Sequence, residues 1–166
     1  MVGTKAALHF LVFLSLAVPV QAAPRAVAAR GAWAALTEGR TCEAASKSLR
    51  PPLKDRPQAR ASLSFDAGGP RRGQFAVQLS RMPRAGATVM LTIGKTPFLL
   101  MNKDDRAWSR GPGQEAAIIA AIRASSGMKV EARSPGGGRI RDYYSLDGAP
   151  LAIDAAAACA ARLANR

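Results

Sequence analysis

Cys42 and Cys159 are the only two cysteines in a chain of 166 residues, and more than a hundred residues separate them. A bond between them would tie the start of the chain's folded region to its end. Such a bond needs an oxidising compartment, because cytosolic thiols stay reduced. Residues 1–22 read as a secretory signal. Lys5 supplies a short positive start, Ala6 to Val18 is apolar apart from His9 and Ser15, Pro19 breaks the helix, and Val20-Gln21-Ala22 places small residues at the cleavage subsites. Cleavage is expected after Ala22, with Ala23 as second choice. The alternative is an uncleaved anchor, but a spanning helix needs ~20 apolar residues and this run has about 13. No later stretch is long and apolar enough to span. In an exported space Cys42 and Cys159 are expected to bond to each other, two buried thiols being the alternative. The absence of a Cys-x-x-Cys pair argues against a thioredoxin-like redox role.

The staple matters because the interior is thin. From Ala23 onward only 24 of 144 residues, about 17%, are Leu, Ile, Val or Phe. That is below the ~20% at which a charged chain risks disorder. Chain-entropy arguments put closure of so long a loop at ~4–5 kcal/mol. The length suits one domain, expected over residues 33–166 after a flexible leader over residues 23–32.

Periodicity supplies the elements. Trp33 to Leu36 and Thr41 to Leu49 read as strands, and the Pro-rich stretch from Arg50 to Arg60 as a loop. Ala61 to Asp66 and Gln74 to Ser80 alternate about the turn Gly68–Gly73, with Leu63, Phe65, Phe75, Val77 and Leu79 inward. Thr88 to Ile93 alternates likewise. The unbroken apolar run Phe98 to Met101 suits a central strand covered on both faces or the middle of a sandwich, and Trp108 starts another short one. Gln114 to Ser125 switches to the helical period, with Ile118, Ile119 and Ile122 on one side and Gly127 as its stop. Met128 to Arg133 and Arg139 to Leu146 form a hairpin about the Ser134–Gly138 tip. A last helix, from about Ala149 to Leu163, places Leu151, Ala155 and Cys159 on one stripe. The expected architecture is α+β: an antiparallel sheet or sandwich, a mid-chain helix, a hairpin and a C-terminal helix docked on the sheet.

Chemistry-bearing residues are few. The single His lies in the signal, so the remaining chain has no imidazole for Ser-His or Cys-His activation, or for a His-ligated metal. Gly94-Lys95-Thr96 resembles a phosphate-loop tail but has Val89 where the earlier glycine belongs, and leads into a strand. Ser126 and Lys129 have hydrolase spacing, yet Gly127 and a strand start intervene. Asp104 and Asp105 read as a charged turn, and Asp142, Asp147 and Asp154 are scattered over three elements. No catalytic residue, metal site or cofactor is therefore expected. The formal charge is +13, and Arg contributes 18 of the 24 basic residues, spread from Arg25 to Arg166. Only seven aromatics follow the signal, which disfavours a nucleic-acid stacking platform. An anionic membrane surface or envelope polyanion is the more plausible specific use of that field. The alternative is an Arg-rich composition with no specific partner.

The C-terminal half has an ordered set of features: Trp108, the Ile-rich helix, Met128-Lys129-Val130, a glycine-rich tip, Asp142-Tyr143-Tyr144-Ser145-Leu146-Asp147-Gly148 and an alanine helix ending near Cys159. This resembles the invasion-associated locus B family of small exported bacterial proteins, as a distant member. The chain has Ala149 where that family carries an aromatic, and lacks the family's further cysteines near the first Trp. The resemblance implies a non-enzymatic accessory or interaction protein in the periplasm or at the surface of a Gram-negative bacterium. Its partner would be an envelope or surface protein, and it implies no catalytic residues. The alternatives are a basic binder of anionic envelope surface or polyanion, and a carboxylate-dependent envelope hydrolase or inhibitor.

Overall fold

The computed structural model describes residues 23–166, and the signal expected over residues 1–22 lies outside the described residues. Along these the elements run β1 (Arg25–Arg30), β2 (Trp33–Glu38), β3 (Thr41–Lys47), β4 (Arg60–Asp66), β5 (Arg72–Gln78), β6 (Val89–Ile93), β7 (Thr96–Lys103), β8 (Arg106–Trp108), α1 (Pro112–Arg123), β9 (Gly127–Arg133), β10 (Arg139–Ser145) and α2 (Ala149–Ala164). The fold is α+β. Its strands form one antiparallel sheet in the order β1-β2-β3-β4-β5-β8-β7-β6-β9-β10. The sheet folds back on itself, so that β10 meets the β2–β3 end. There Leu49 N–H donates to the Tyr143 carbonyl at 2.7 Å and Ala32 N–H to that of Asp147 at 3.1 Å.

Alternation fixes which face is buried. Phe75 and Val77 on β5, Val89, Leu91 and Ile93 on β6, and Met128, Val130 and Ala132 on β9 all point into one core, as their spacing predicts. The register sets small residues beside large ones across that inner face: Ala35 lies opposite Ala44, Ala44 opposite Leu63, and Leu63 opposite Phe75. The small residues of β2 and β3 leave room for α2, whose own buried face is mostly alanine. Helix α1 buries Ile118 and Ile122 against the other half. Cys42 on β3 is bonded to Cys159 on α2 across 117 residues, with Cα atoms 6.0 Å apart.

Three local expectations are corrected. Much of the leader is ordered, because Arg25–Arg30 forms β1 and pairs with β2. An edge strand needs only a backbone partner, and its side chains stay in water, so hydropathy has no period to record. Second, Phe98–Met101 is covered on one face only: Phe98 and Leu100 are buried, whereas Leu99 and Met101 are exposed. Third, Leu151 is 48% exposed and does not share a stripe with Cys159. Eight residues at about 100° each leave the two about 80° apart on the helix. The buried face instead runs through Ala149, Ala152, Ile153, Ala156, Cys159 and Ala160.

Candidate functional site

The residues of chemical interest disperse. Cys42 and Cys159 serve as a staple. Gly94-Lys95-Thr96 makes the β6–β7 turn, and Lys129 pairs with Glu131 at 2.7 Å inside β9, away from any nucleophile role with Ser126. Asp104 and Asp105 form the β7–β8 turn. Asp142 is fully buried and accepts from Ser80 N–H at 3.0 Å, tying β10 to the end of β5. Asp154 pairs with Arg123 on the surface at 2.5 Å. These carboxylates do not converge on one point, and among the described residues no group of three or more His, Cys, Asp or Glu could hold a metal ion. Burial first, and the Asp142 charge second, push the Tyr144 phenol upward, so it stays protonated.

The segment Ser145-Leu146-Asp147-Gly148 has a structural task. The Trp33 indole N–H donates to the Ser145 carbonyl at 2.8 Å. Leu146 is buried, and Asp147 accepts from Ala32. Gly148 begins α2 with φ at 81°, and a Cβ there would collide with the Arg30 carbonyl oxygen. Gly31 faces Asp147 just as tightly, with φ at 56°. Two glycines thus let the β1–β2 turn and the start of α2 interlock.

The outer face of the sheet is where side chains stay available. Cross-strand partners point the same way, so register groups them into rows. One row runs Lys47, Arg60, Gln78, Arg106, Lys103 across five neighbouring strands. The next runs Ala45, Ser62, Ala76, Trp108. A third joins Glu43, Ser64 and Gln74. Long side chains flanking short ones leave a groove of about 470 Å³, with Ser62, Ser64 and Ala76 at its floor and Trp108 at one end.

Its electrostatics are ordered. Glu43 pairs with Arg60, and partial burial lowers the Arg60 guanidinium from its ordinary value, which is high enough to keep it charged. Asp66 accepts from Arg71 at 2.7 and 2.9 Å and from Thr41 at 2.9 Å. Those bonds, the Arg71 one foremost, hold the Asp66 carboxyl below the usual range. Among the described residues Lys47, Lys103 and Arg106 take part in no ion pair. The alternation that marks the inner residues of β4 and β5 also marks Arg60, Ser62, Gln74 and Gln78 as outward. What the linear order does not display is that β8 inserts beside β5 and completes the rows.

Fold and face together define a disulfide-stapled α+β domain with an open polar groove across its sheet. Its architecture is similar to the crystal structure of invasion associated protein B from Bartonella henselae, with a TM-score of 0.54 and 16% identity over 82% of this chain and 97% of that one. At that identity the likeness is one of fold. No family model matches the sequence, and no curated protein matches it. Among the described residues no helix is long and apolar enough to cross a membrane.

Proposed function

We propose that the chain is an exported, non-enzymatic accessory protein of a Gram-negative envelope, working in the periplasm or at the cell surface by binding a partner across the outer face of β3, β4, β5 and β8. The observation that carries this reading is the groove on that face, whose polar and cationic side chains are displayed by four paired strands rather than by a mobile loop. Rigid display suits recognition. The Cys42–Cys159 bond supports an oxidising destination, and the fold likeness to invasion associated protein B supports an accessory role.

The test is in-cell crosslinking with a photoreactive residue at Gln74 or Gln78, followed by fractionation and identification of the adduct. The expected result is an envelope component captured from those positions and not from exposed Leu151 on α2. Recovery of the protein in the cytosol with both thiols alkylatable before reduction would overturn the reading.

A further inference from the structure

We infer that the groove binds a linear acidic polysaccharide, its carboxylate or sulfate groups held by the cation row and one sugar ring stacked on Trp108. This deepens the preceding proposal and rests on its reading of the face. The row Lys47, Arg60, Gln78, Arg106, Lys103 crosses five adjacent strands. At ~4.8 Å per strand it extends ~19 Å, with Arg60 and Arg106 roughly 10 Å apart. That spacing suits charges repeated along an extended sugar chain. Glu43 holds Arg60, Asp66 holds the groove-lining Arg71, and Asp105, in the turn beside the row, accepts from the Gln78 amide at 3.4 Å, leaving Lys47, Arg106 and Lys103 as the row's cations without an ion-pair partner among the described residues. Beside the row the floor is short and hydroxyl-bearing, at Ser62 and Ser64, with the Gln74 amide on the wall. Hydroxyls and amides match sugar hydroxyls, and the half-buried indole of Trp108 offers a flat apolar surface for a ring's C–H face.

Other occupants fit less well. A second copy of this chain meets its own positive field, at a formal +13. Residues 1–22 carry Lys5 and no acid, so they do not complement the row. Single-stranded nucleic acid needs successive aromatic platforms, and this groove has one. An acidic peptide meets the cations but brings no sugar ring for the Trp108 face and no hydroxyls for the serine floor. A flat membrane cannot reach the serines on the groove floor.

The experiment titrates protein purified from the periplasm with polygalacturonate and with heparin, against neutral dextran, poly-glutamate, single-stranded DNA and phosphatidylglycerol vesicles. Saturable binding to at least one of the two acidic polysaccharides, and none to dextran, is expected. The exposed triple variant Lys47→Gln, Lys103→Gln, Arg106→Gln should weaken it about tenfold or more. A charge-matched control, Arg30→Gln, Arg139→Gln, Arg162→Gln, should stay within about twofold. Trp108→Leu should weaken polysaccharide binding about fivefold and leave any poly-glutamate binding unchanged, with circular dichroism verifying the fold. Equal losses in the two triple variants, insensitivity to Trp108→Leu, tighter binding to poly-glutamate, DNA or vesicles, or no polysaccharide binding would each overturn the inference. If polysaccharides fail while crosslinks still map to Gln74 and Gln78, the ligand class falls and the binding face stands. If polysaccharide binding that depends on the cation row is seen while crosslinks from Gln74 and Gln78 capture no envelope component in the cell, the envelope-partner reading falls instead.

Discussion

At Gly148 the first turn of α2 and the carbonyl of Arg30 occupy neighbouring space, with no room between them for a methyl group. The residue also sits at φ 81°, a conformation that L side chains adopt at a cost. Gly148→Ala therefore combines backbone strain with a collision against backbone that cannot step aside. It should lower unfolding stability by about 2 kcal/mol or more. Gly39→Ala is the matched control: φ is 56° there, but nothing lies within 4 Å of the added carbon. It should cost only the strain, about 1 kcal/mol. Urea denaturation of both variants reads the difference, and equal costs would remove the interlock from the account. The same geometry explains why the Ser145–Gly148 stretch stands out in the sequence. Its residues hold a turn against a helix start, and none of them reaches the outer groove.

The C-terminal helix is the element on which periodicity was most easily misread. Ala, Leu and Ile alternate so closely in α2 that several stripes look apolar, and only docking on β2 and β3 selects the one that is buried. Exchanging Leu151 for Gln should change stability by no more than about 0.5 kcal/mol, because it lies on the exposed side of the helix with about half its surface in water. Ile153→Ala, at 2% exposure, should cost about 2–4 kcal/mol. Thermal unfolding that ranks them the other way would place the helix in a different rotation. The staple belongs to the same element. Replacing Cys42 and Cys159 together by Ala removes a crosslink over 117 residues. It should cost about 5 kcal/mol in the chain-entropy view, and intact protein should lose a comparable amount when unfolded in reductant. A denaturation midpoint indifferent to reductant would show that the alanine face of α2 holds the sheet unaided.

For the whole molecule, charge sets how stability responds to pH. Asp66, Glu131 and Asp154 each have a carboxyl held below its ordinary value, chiefly by hydrogen bonds from Arg71, Lys129 and Arg123 respectively. A depressed folded-state pKa contributes stability above the unfolded value, about 4 for a carboxylate, and loses it as pH falls through the folded value. Between about pH 8 and 5 the melting temperature should hardly move, since residues 23–166 contain no His. Below about pH 4 it should fall, helped by self-repulsion in a strongly cationic chain. Asp66→Asn should lower stability at neutral pH and make the acid decline shallower. An unchanged acid profile in that variant would mean that the Asp66–Arg71–Thr41 cluster contributes nothing.

Much of the fold is legible in the sequence because burial leaves a period. The inward residues of β4, β5, β6 and β9, the two isoleucines anchoring α1, and a disulfide between the chain's only cysteines all follow from spacing or composition. Periodicity records which side of an element is wet or dry and nothing about its neighbours. It therefore passed over β1, whose side chains stay in water, and assigned Leu151 to the wrong stripe. The outer groove is a matter of register alone. Lys47 and Lys103 lie far apart in the chain and enter one row because β8 settles between β5 and β7. That pairing is fixed by the packing of the opposite face, where Ala107 has to enter the core.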